Sequence, residues 1–252
     1  MWRKKISHIF ILSILLSYAL IFLVHDQQIR LIDTEIYRVT SSRDAFLQID
    51  VDFNIGMDTP VVYKGSGTLI GQIDGKNYAL TADHLCNPIL PPFLAKEYNV
   101  QVKTVFVTDF SGEVYMGHVV FNSLTNDLCL IEFLGSTDAI PAPFAQNPVF
   151  INEKVYVFAA PTGFFAPHVV PLFDGYYAGD IIESGGESST YTIAVVGGSS
   201  GAAILNAHGE IVGVIHSSLV DFHHITLAAT HENVITFLDE YYVLSGVRLL
   251  VP

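Results

Sequence analysis

The chain has 252 residues, half of them hydrophobic and 15% charged, so it can build one large domain or two small ones around a sizeable core. Its formal net charge is −13, with only 12 lysines and arginines in total. Nucleic-acid binding needs a basic face, so this balance excludes nucleic acid as an expected partner. Aromatic and β-branched residues abound and helical periodicity is scarce, which indicates an all-β body.

The amino terminus carries an apolar run over residues 6–24, preceded by the basic residues Arg3, Lys4 and Lys5. About 20 apolar residues span a bilayer, whereas the apolar core of a signal peptide has about 7 to 15. We therefore predict a transmembrane anchor over residues 1–25. The basic cluster keeps the amino terminus cytoplasmic and puts the rest of the chain outside the cytoplasm. A cleaved signal, giving a secreted or periplasmic protein, is the alternative.

A juxtamembrane spacer or short helix is expected over residues 26–45, and two groups of strand patterns follow it. The first group, over 46–145, includes a predicted hairpin turn at Asp74 and Gly75. The second group covers 146–245, and its apolar residues recur at helical spacing from His231 onward, which predicts a closing helix packed on that group. The predicted strands lie at 46–53, 61–70, 78–81, 100–108, 113–121 and 128–133, then at 154–158, 169–173, 176–182, 191–196, 202–205 and 211–215.

Residues 198–201 read Gly-Ser-Ser-Gly and form a tight loop that runs into a buried strand. A serine hydroxyl is a weak nucleophile, so its loop needs glycines that allow close approach and two N–H groups that face the developing oxyanion. Ser200 is the candidate nucleophile, and the amides of Gly198 and Ser200 are the candidate oxyanion hole. Such clusters mostly form ordinary turns, so the loop needs partners elsewhere in the chain.

Two upstream residues supply those partners. His84 follows the strand end at 78–81, and Asp127 precedes the apolar run at 128–131. His, then Asp, then Ser is one of the chain orders in which a catalytic triad is built. In this interpretation Asp127 accepts the Nδ1 hydrogen of His84, while Nε2 takes the proton of Ser200.

These motifs resemble the trypsin/chymotrypsin-like serine peptidases, most closely the bacterial-style branch with the HtrA and V8-type enzymes. The resemblance covers roughly residues 45–245. It implies two six-stranded antiparallel β-barrels with the triad in the cleft between them, a protein or peptide substrate, and neither cofactor nor metal. The matching stretches are 65–70 (Gly-Ser-Gly-Thr-Leu-Ile), 80–84 (Leu-Thr-Ala-Asp-His), 126–131 (Asn-Asp-Leu-Cys-Leu-Ile) and 198–202 (Gly-Ser-Ser-Gly-Ala).

Activation and specificity follow only from the resemblance. In the digestive branch, cleavage creates a new amino terminus that pairs with an aspartate just before the serine. Ser199 holds that position here, which implies an enzyme that is competent without cleavage. The pocket for the residue before the scissile bond, P1, is expected between segments 194–197 and 215–218. Its candidate substrate-binding residues are Ala194, Gly197, Ile215, His216 and Ser217.

Ala194 stands where trypsin keeps a carboxylate, so an uncharged, small to medium-sized apolar P1 residue is expected. The V8-type enzymes hold a glutamate with a histidine, and Ile215 takes that place here, one residue before His216. Strong cleavage after glutamate would therefore indicate His216 as the cause, with the alignment shifted by one.

Cys86 and Cys129 each lie two residues beyond a candidate triad member. A domain outside the cytoplasm permits a disulfide between them, and two buried thiols are the alternative.

Two other functions compete with a peptidase. One is a catalytically inactive peptidase fold that acts as a binding module. The other is an α/β-hydrolase-type esterase, because residues 197–201 also fit G-x-S-x-G with Ser199 as the nucleophile. That fold needs a helix after the serine, whereas the sequence predicts a strand there.

Overall fold

The computed structural model describes residues 2–54, 61–87, 101–183, 186–219 and 221–250, without the side chains of 2–16, 19, 31–33, 54, 101–103 and 183. The chain divides into two compact units, residues 1–38 and 39–252. Helix α1 spans Trp2–Ser41, so the predicted spacer is largely helical, and a 3₁₀ turn at Ser42–Ala45 leads to the first strand.

Within the described part of the chain, no helix is both long enough and apolar enough to cross a membrane. Most of the apolar run at 6–24 lies outside the described side chains. The predicted anchor therefore stays a prediction.

The first six strands close into an antiparallel barrel in the order β1-β2-β3-β6-β5-β4. Asp74 and Gly75 join β2 to β3 with φ values of +52° and +79°, the left-handed conformation that a two-residue hairpin requires. The predicted turn is thereby confirmed. The strands are β1 (Phe46–Asn54), β2 (Val61–Ile73), β3 (Lys76–Thr81), β4 (Gln101–Asp109), β5 (Val114–Ser123) and β6 (Leu128–Leu134).

The second six strands also close into an antiparallel barrel, in the order β10-β11-β12-β9-β8-β7. The prediction of two six-stranded barrels is therefore confirmed, and the α/β-hydrolase alternative is wrong because strand β10, not a helix, follows the serine loop. The strands are β7 (Lys154–Phe158), β8 (Leu172–Glu183), β9 (Gly186–Tyr191), β10 (Ala203–Leu205), β11 (Ile211–Leu219) and β12 (Phe222–Ala229).

The predicted strand at 191–196 is wrong. Strand β9 ends at Tyr191, and the following residues leave the regular ladder. They are held instead by single bonds to two neighbouring strands. The Thr192 N–H donates to the Tyr176 carbonyl of β8 at 2.9 Å. On β12, the His223 carbonyl accepts the Val195 N–H at 3.0 Å, and the Thr226 hydroxyl donates to the Ile193 carbonyl at 2.7 Å. This irregular path leads directly into the serine loop.

Two helices follow α1 among the described residues: α2 is a single turn at Asp83–Cys86, and the predicted closing helix forms as α3 over His231–Ser245. The Thr230 hydroxyl caps the first turn of α3 by accepting the N–H of Asn233. Helix α3 packs against β11 of the second barrel, as predicted. It also contacts the first barrel, because the Phe237 and Tyr241 rings lie 4.9 Å and 5.8 Å from the Phe121 ring. One face of α3 therefore extends the core of the first barrel.

Each barrel has an apolar interior of its own. In the second barrel, Val157, Ile204 and Val212 are buried together. In the first, Leu80, Leu130 and Ile131 are fully buried. These cores fix the strand ends from which the loops of the candidate site emerge.

Candidate active site

His84 and Asp127 meet at one end of the first barrel. Strand β3 ends at Thr81, Ala82 is extended, and the one-turn helix α2 carries His84. Asp127 lies in the turn before β6 with φ of +49°. Because β3 and β6 are paired neighbours, with Thr81 opposite Cys129, the two turns lie side by side.

Both oxygens of the Asp127 carboxylate bind His84. Oδ2 lies 2.7 Å from the ring Nδ1, and Oδ1 accepts the backbone N–H of His84 at 2.8 Å. An ionised carboxylate only accepts hydrogen bonds, so Nδ1 carries the hydrogen and Nε2 keeps a free lone pair. The pair thus holds the imidazole in the tautomer that a general base needs.

The charge state of Asp127 suits this role. Burial raises the pKa of its carboxyl group, but the hydrogen bonds and charge of His84, with a smaller effect of His216, outweigh burial and lower the pKa overall. Asp127 therefore stays ionised at neutral pH.

A disulfide reinforces the same junction. Cys86 and Cys129 are bonded to each other, which decides between the two alternatives left open by the sequence. The bond joins the end of α2 to β6, two residues beyond His84 and Asp127 respectively. It therefore crosslinks the segments that carry the imidazole and the carboxylate.

The serine loop follows a turn in which the Ser199 N–H donates to the Val196 carbonyl at 3.0 Å. Ser199 is fully buried, whereas Ser200 is half-buried. The Gly201 N–H donates to the Ile215 carbonyl at 2.7 Å, which ties the loop to β11. Of the two serines, Ser200 is therefore the one that can meet a substrate.

The serine loop also packs against the strand end that precedes His84. A β-carbon on Gly201 would overlap the Thr81 hydroxyl and lie 2.9 Å from the Ala82 nitrogen. The loop and the histidine turn are thus neighbours. Among the described contacts, no hydrogen bond joins the Ser200 hydroxyl to His84.

The N–H groups of Gly198 and Ser200 donate to no group in the described part of the chain. The Gly197 carbonyl, in the peptide that carries the Gly198 N–H, is hydrogen-bonded. The Gly197 carbonyl accepts the N–H of Thr162 at 2.6 Å. In a trans peptide the carbonyl and the N–H point in opposite directions, so the Gly198 N–H points away from Thr162. Gly198 has φ of +93°, and a side chain there would lie 2.5 Å from the Ala160 carbonyl oxygen, so both conformation and space require glycine.

The candidate substrate-binding residues are spread over two segments. Ala194 is half-buried and Gly197 is exposed on one of them. On the other, the Ile215 side chain is buried in the second barrel, and Ser217 is exposed. The predicted wall at 215–218 therefore presents the residues after Ile215 rather than its side chain.

His216 shares a cavity of about 200 Å³ with His84 and Asp127. Its Nε2 lies 3.2 Å from the Ser188 hydroxyl, and its Nδ1 lies 2.9 Å from the Ser217 hydroxyl. Glu187 and Leu124 also line this cavity. His216 is thus next to the His84–Asp127 pair.

Two residues with structural roles at the site were not singled out from the sequence. Ser66 in β2 binds the serine loop. Thr226 in β12 pairs with Ser218 of one segment predicted to form the P1 pocket, and its hydroxyl donates to the Ile193 carbonyl just before the other. The glycines on both sides of Ser66 were the available signal, because they mark a place where another backbone approaches closely. Thr226 had no comparable signal.

Residues 65–214 match the model of a family described as trypsin-like peptidase domain. No curated protein sequence matches the chain significantly. Among solved structures, the chain is similar to the Rv3671c protease of M. tuberculosis in its active form, with a TM-score of 0.62, 17% identity, and coverage of 80% of this chain and 82% of that one. It is similar to the inactive form of a serine-to-alanine mutant of Rv3671c with a TM-score of 0.62, 15% identity, and coverage of 83% and 92%. Both likenesses concern the fold.

Proposed function

Because the chain belongs to the trypsin-like peptidase domain family, we propose that it is a serine endopeptidase with His84, Asp127 and Ser200 as its triad. The observation that carries this proposal is the double hydrogen bond from His84 to Asp127, through the ring at 2.7 Å and the backbone at 2.8 Å. It orients an imidazole whose free Nε2 is available to a neighbouring hydroxyl.

In the proposed reaction, the Ser200 hydroxyl attacks the carbonyl carbon of the scissile peptide bond as its proton passes to His84 Nε2. The carbonyl oxygen becomes negative and is stabilised by the N–H groups of Gly198 and Ser200. The imidazolium then gives its proton to the leaving amine, and the peptide bond breaks to leave an acyl-enzyme. Water, activated by His84, hydrolyses the ester and restores Ser200.

The direct test is hydrolysis by the intact chain of casein and of a peptide thiobenzyl ester. We expect cleavage at internal peptide bonds, a fall to background in Ser200→Ala, and no comparable loss in Ser199→Ala. A folded wild-type chain with no activity on either substrate would instead favour the inactive binding module.

Activity without a preceding cleavage is part of this proposal. Ser199 offers no carboxylate to pair with a new amino terminus, and the Gly197 carbonyl is held by the Thr162 N–H within the chain. The intact chain should therefore have full activity, and mass spectrometry of the active sample should show no internal cleavage. Activity that appears only after proteolytic nicking would contradict this.

Thr226 supports a small, uncharged P1 residue. Thr226 pairs with Ser218 in the predicted pocket wall at 215–218. Its hydroxyl donates to the carbonyl of Ile193, the residue before the predicted wall at 194–197. Its side chain is fully buried there, so it limits the depth between the walls. We expect preferred cleavage after alanine or valine.

Replacing Thr226 tests that preference. Thr226→Gly should raise kcat/KM for phenylalanine at P1 relative to alanine, because the replacement removes the whole side chain. Thr226→Ser, which keeps the hydroxyl, should change the ratio less. An unchanged ratio in Thr226→Gly, or strong cleavage after glutamate by the wild type, would contradict this preference.

A single-pass anchor at residues 1–25, with the catalytic domain outside the cytoplasm, completes the proposal. The apolar run at 6–24 and the basic residues before it support it, as does the Cys86–Cys129 disulfide, since disulfides persist in oxidising compartments. The protein should stay with membranes after alkaline carbonate extraction. A mature amino terminus near residues 20–30 would show a cleaved signal instead.

A further inference from the structure

Ser66 belongs to the first barrel, yet its N–H and its hydroxyl bind residues of the second barrel. Its N–H donates to the Ser200 carbonyl at 2.8 Å, and its hydroxyl donates to the Gly198 carbonyl at 2.8 Å. The same hydroxyl accepts the N–H of Ala160 at 2.9 Å. The residue is fully buried, so loss of the hydroxyl would leave the buried Ala160 N–H and the Gly198 carbonyl without this partner.

The direction of the hydroxyl hydrogen is fixed by these contacts. The Ala160 N–H can only donate and the Gly198 carbonyl can only accept, so the hydrogen of Ser66 points to Gly198. Ser66 is itself held from its own barrel, because its carbonyl accepts the Thr81 hydroxyl at 2.7 Å. It therefore acts as a fixed point on the first barrel to which the serine loop is attached.

These bonds fix the orientation of the Gly198 N–H, one of the two amides of the candidate oxyanion hole. The peptide before Gly198 is held through the Gly197 carbonyl by Thr162, and the peptide after it is held through the Gly198 carbonyl by Ser66. Glycine rotates about its backbone at low cost, so the peptide after Gly198 needs restraint. Ser66 restrains its carbonyl, and the Val196 carbonyl accepts its N–H, which belongs to Ser199. With both peptides held, the Gly198 N–H keeps one direction.

We infer that Ser66 is a positioning residue for the oxyanion hole. This inference rests on the proposed function, because it assigns Ser66 to the step in which the amides of Gly198 and Ser200 bind the developing negative oxygen. Those amides stabilise the transition state more than the bound substrate. Loss of the Ser66 hydroxyl should therefore lower kcat and leave KM nearly unchanged.

The test compares Ser66→Ala with Ser189→Ala in the intact chain. Ser189 is a matched control, since it is also buried and its hydroxyl is hydrogen-bonded within the second barrel, to Asp180 at 2.6 Å and to Tyr177 and Tyr191. We would measure kcat and KM for a succinyl-Ala-Ala-Pro-Ala thiobenzyl ester, and the inhibition constant of the matching peptide aldehyde, which forms a tetrahedral adduct. Thermal unfolding followed by circular dichroism would give the folded fraction.

We expect Ser66→Ala to lower kcat by roughly 10- to 100-fold, with KM within about twofold, and to weaken the aldehyde in parallel. Ser189→Ala should leave kcat, KM and the inhibition constant of the aldehyde unchanged. If Ser66→Ala does not fold, Ser66→Cys, which keeps a weaker donor and acceptor, should give a smaller loss of the same kind.

The inference is overturned if folded Ser66→Ala, or Ser66→Cys where the alanine variant does not fold, keeps the wild-type kcat and aldehyde affinity. It is also overturned if the fraction of activity lost equals the fraction of the variant that is unfolded. Failure of the proposed function looks different, because the wild type itself would then hydrolyse neither substrate.

Discussion

Asp127 holds His84 by two groups at once, the ring Nδ1 at 2.7 Å and the backbone N–H at 2.8 Å. The first bond selects the tautomer of the ring, and the second fixes the start of the helix that carries it. One carboxylate therefore sets both the chemistry and the position of the candidate base.

Replacing Asp127 with asparagine should separate these two effects. The new side chain would carry no negative charge, and its amide N–H₂ group favours the tautomer with the hydrogen on Nε2 of His84, which cannot accept the Ser200 proton. We expect Asp127→Asn to lower kcat by about 10⁴-fold with little change in KM, as measured with the peptide thiobenzyl ester.

Asp109→Asn is the control for that variant. Asp109 is a buried carboxylate that accepts the hydroxyls of Ser111 and Thr137 in the first barrel. Its replacement should cost stability and leave kcat unchanged. Equal losses of kcat in the two variants would contradict the assigned role of Asp127.

Asp83, the residue before His84, should make stability depend on pH. Burial raises the pKa of its carboxyl group above the ordinary 3.8, while the amides of Asn87 and Asn122 partly oppose the shift. A raised pKa in the folded state means that the native protein holds the proton more tightly than the unfolded chain does. The contribution of Asp83 to the free energy of unfolding is therefore largest at low pH, and it is lost as the pH rises through the raised pKa.

Asp83→Asn removes this dependence while keeping an oxygen that can accept the Asn87 amide. The free energy of unfolding of the variant minus that of the wild type should be larger at pH 8 than at pH 4. Urea unfolding of both proteins at the two pH values measures this difference. The pKa of Asp127 is lowered in both proteins, so the larger part of its effect cancels in the difference. An identical difference at the two pH values would contradict this prediction.

The Cys86–Cys129 disulfide should support both stability and activity. It closes a loop with a sequence separation of 43 residues, and such crosslinks typically contribute about 2–4 kcal/mol. Replacing both cysteines with alanine should lower the free energy of unfolding by that amount and reduce kcat, because α2 loses its link to β6. An unchanged free energy of unfolding in urea, measured for both proteins under non-reducing conditions, would contradict the stabilising role of the disulfide.

Gly201 should tolerate alanine worse than Gly75 does, although both have similar left-handed φ values of +85° and +79°. At Gly75 a β-carbon meets nothing within 4 Å, so only backbone strain of about 1–2 kcal/mol is expected. At Gly201 it would overlap the Thr81 hydroxyl and the Ser66 carbonyl, which adds roughly 1–3 kcal/mol. Thermal unfolding of both variants measures the difference, and equal losses would contradict the close packing of the serine loop.

Much of the barrel architecture could be predicted because it depends on local patterns. Alternating apolar residues marked the strands of the first barrel, and Asp74-Gly75 marked a turn whose backbone needs those residue types. The strand expected at 191–196 failed for the opposite reason: most of its residues are apolar, but their partners are single groups on β8 and β12. Local sequence does not encode that arrangement.

The same limit applies to the site. His84, Asp127 and Ser200 each stand next to a strand end and were found by motif, whereas Ser66 acquires its role through bonds to Ala160, Gly198 and Ser200. Those partners lie far away in the chain, and only the folded structure brings them together. The packing of α3 on Phe121 is a further contact of this kind.

The most direct test of the central claim is to locate the nucleophile chemically. The intact chain would be treated with a fluorophosphonate, digested, and analysed by tandem mass spectrometry, with Ser200→Ala, Ser199→Ala and His84→Ala alongside. The predicted result is a phosphonate on Ser200 in the wild type and in Ser199→Ala, and none in Ser200→Ala or His84→Ala. A phosphonate on Ser199, or no adduct on a folded wild-type chain, would contradict the claim.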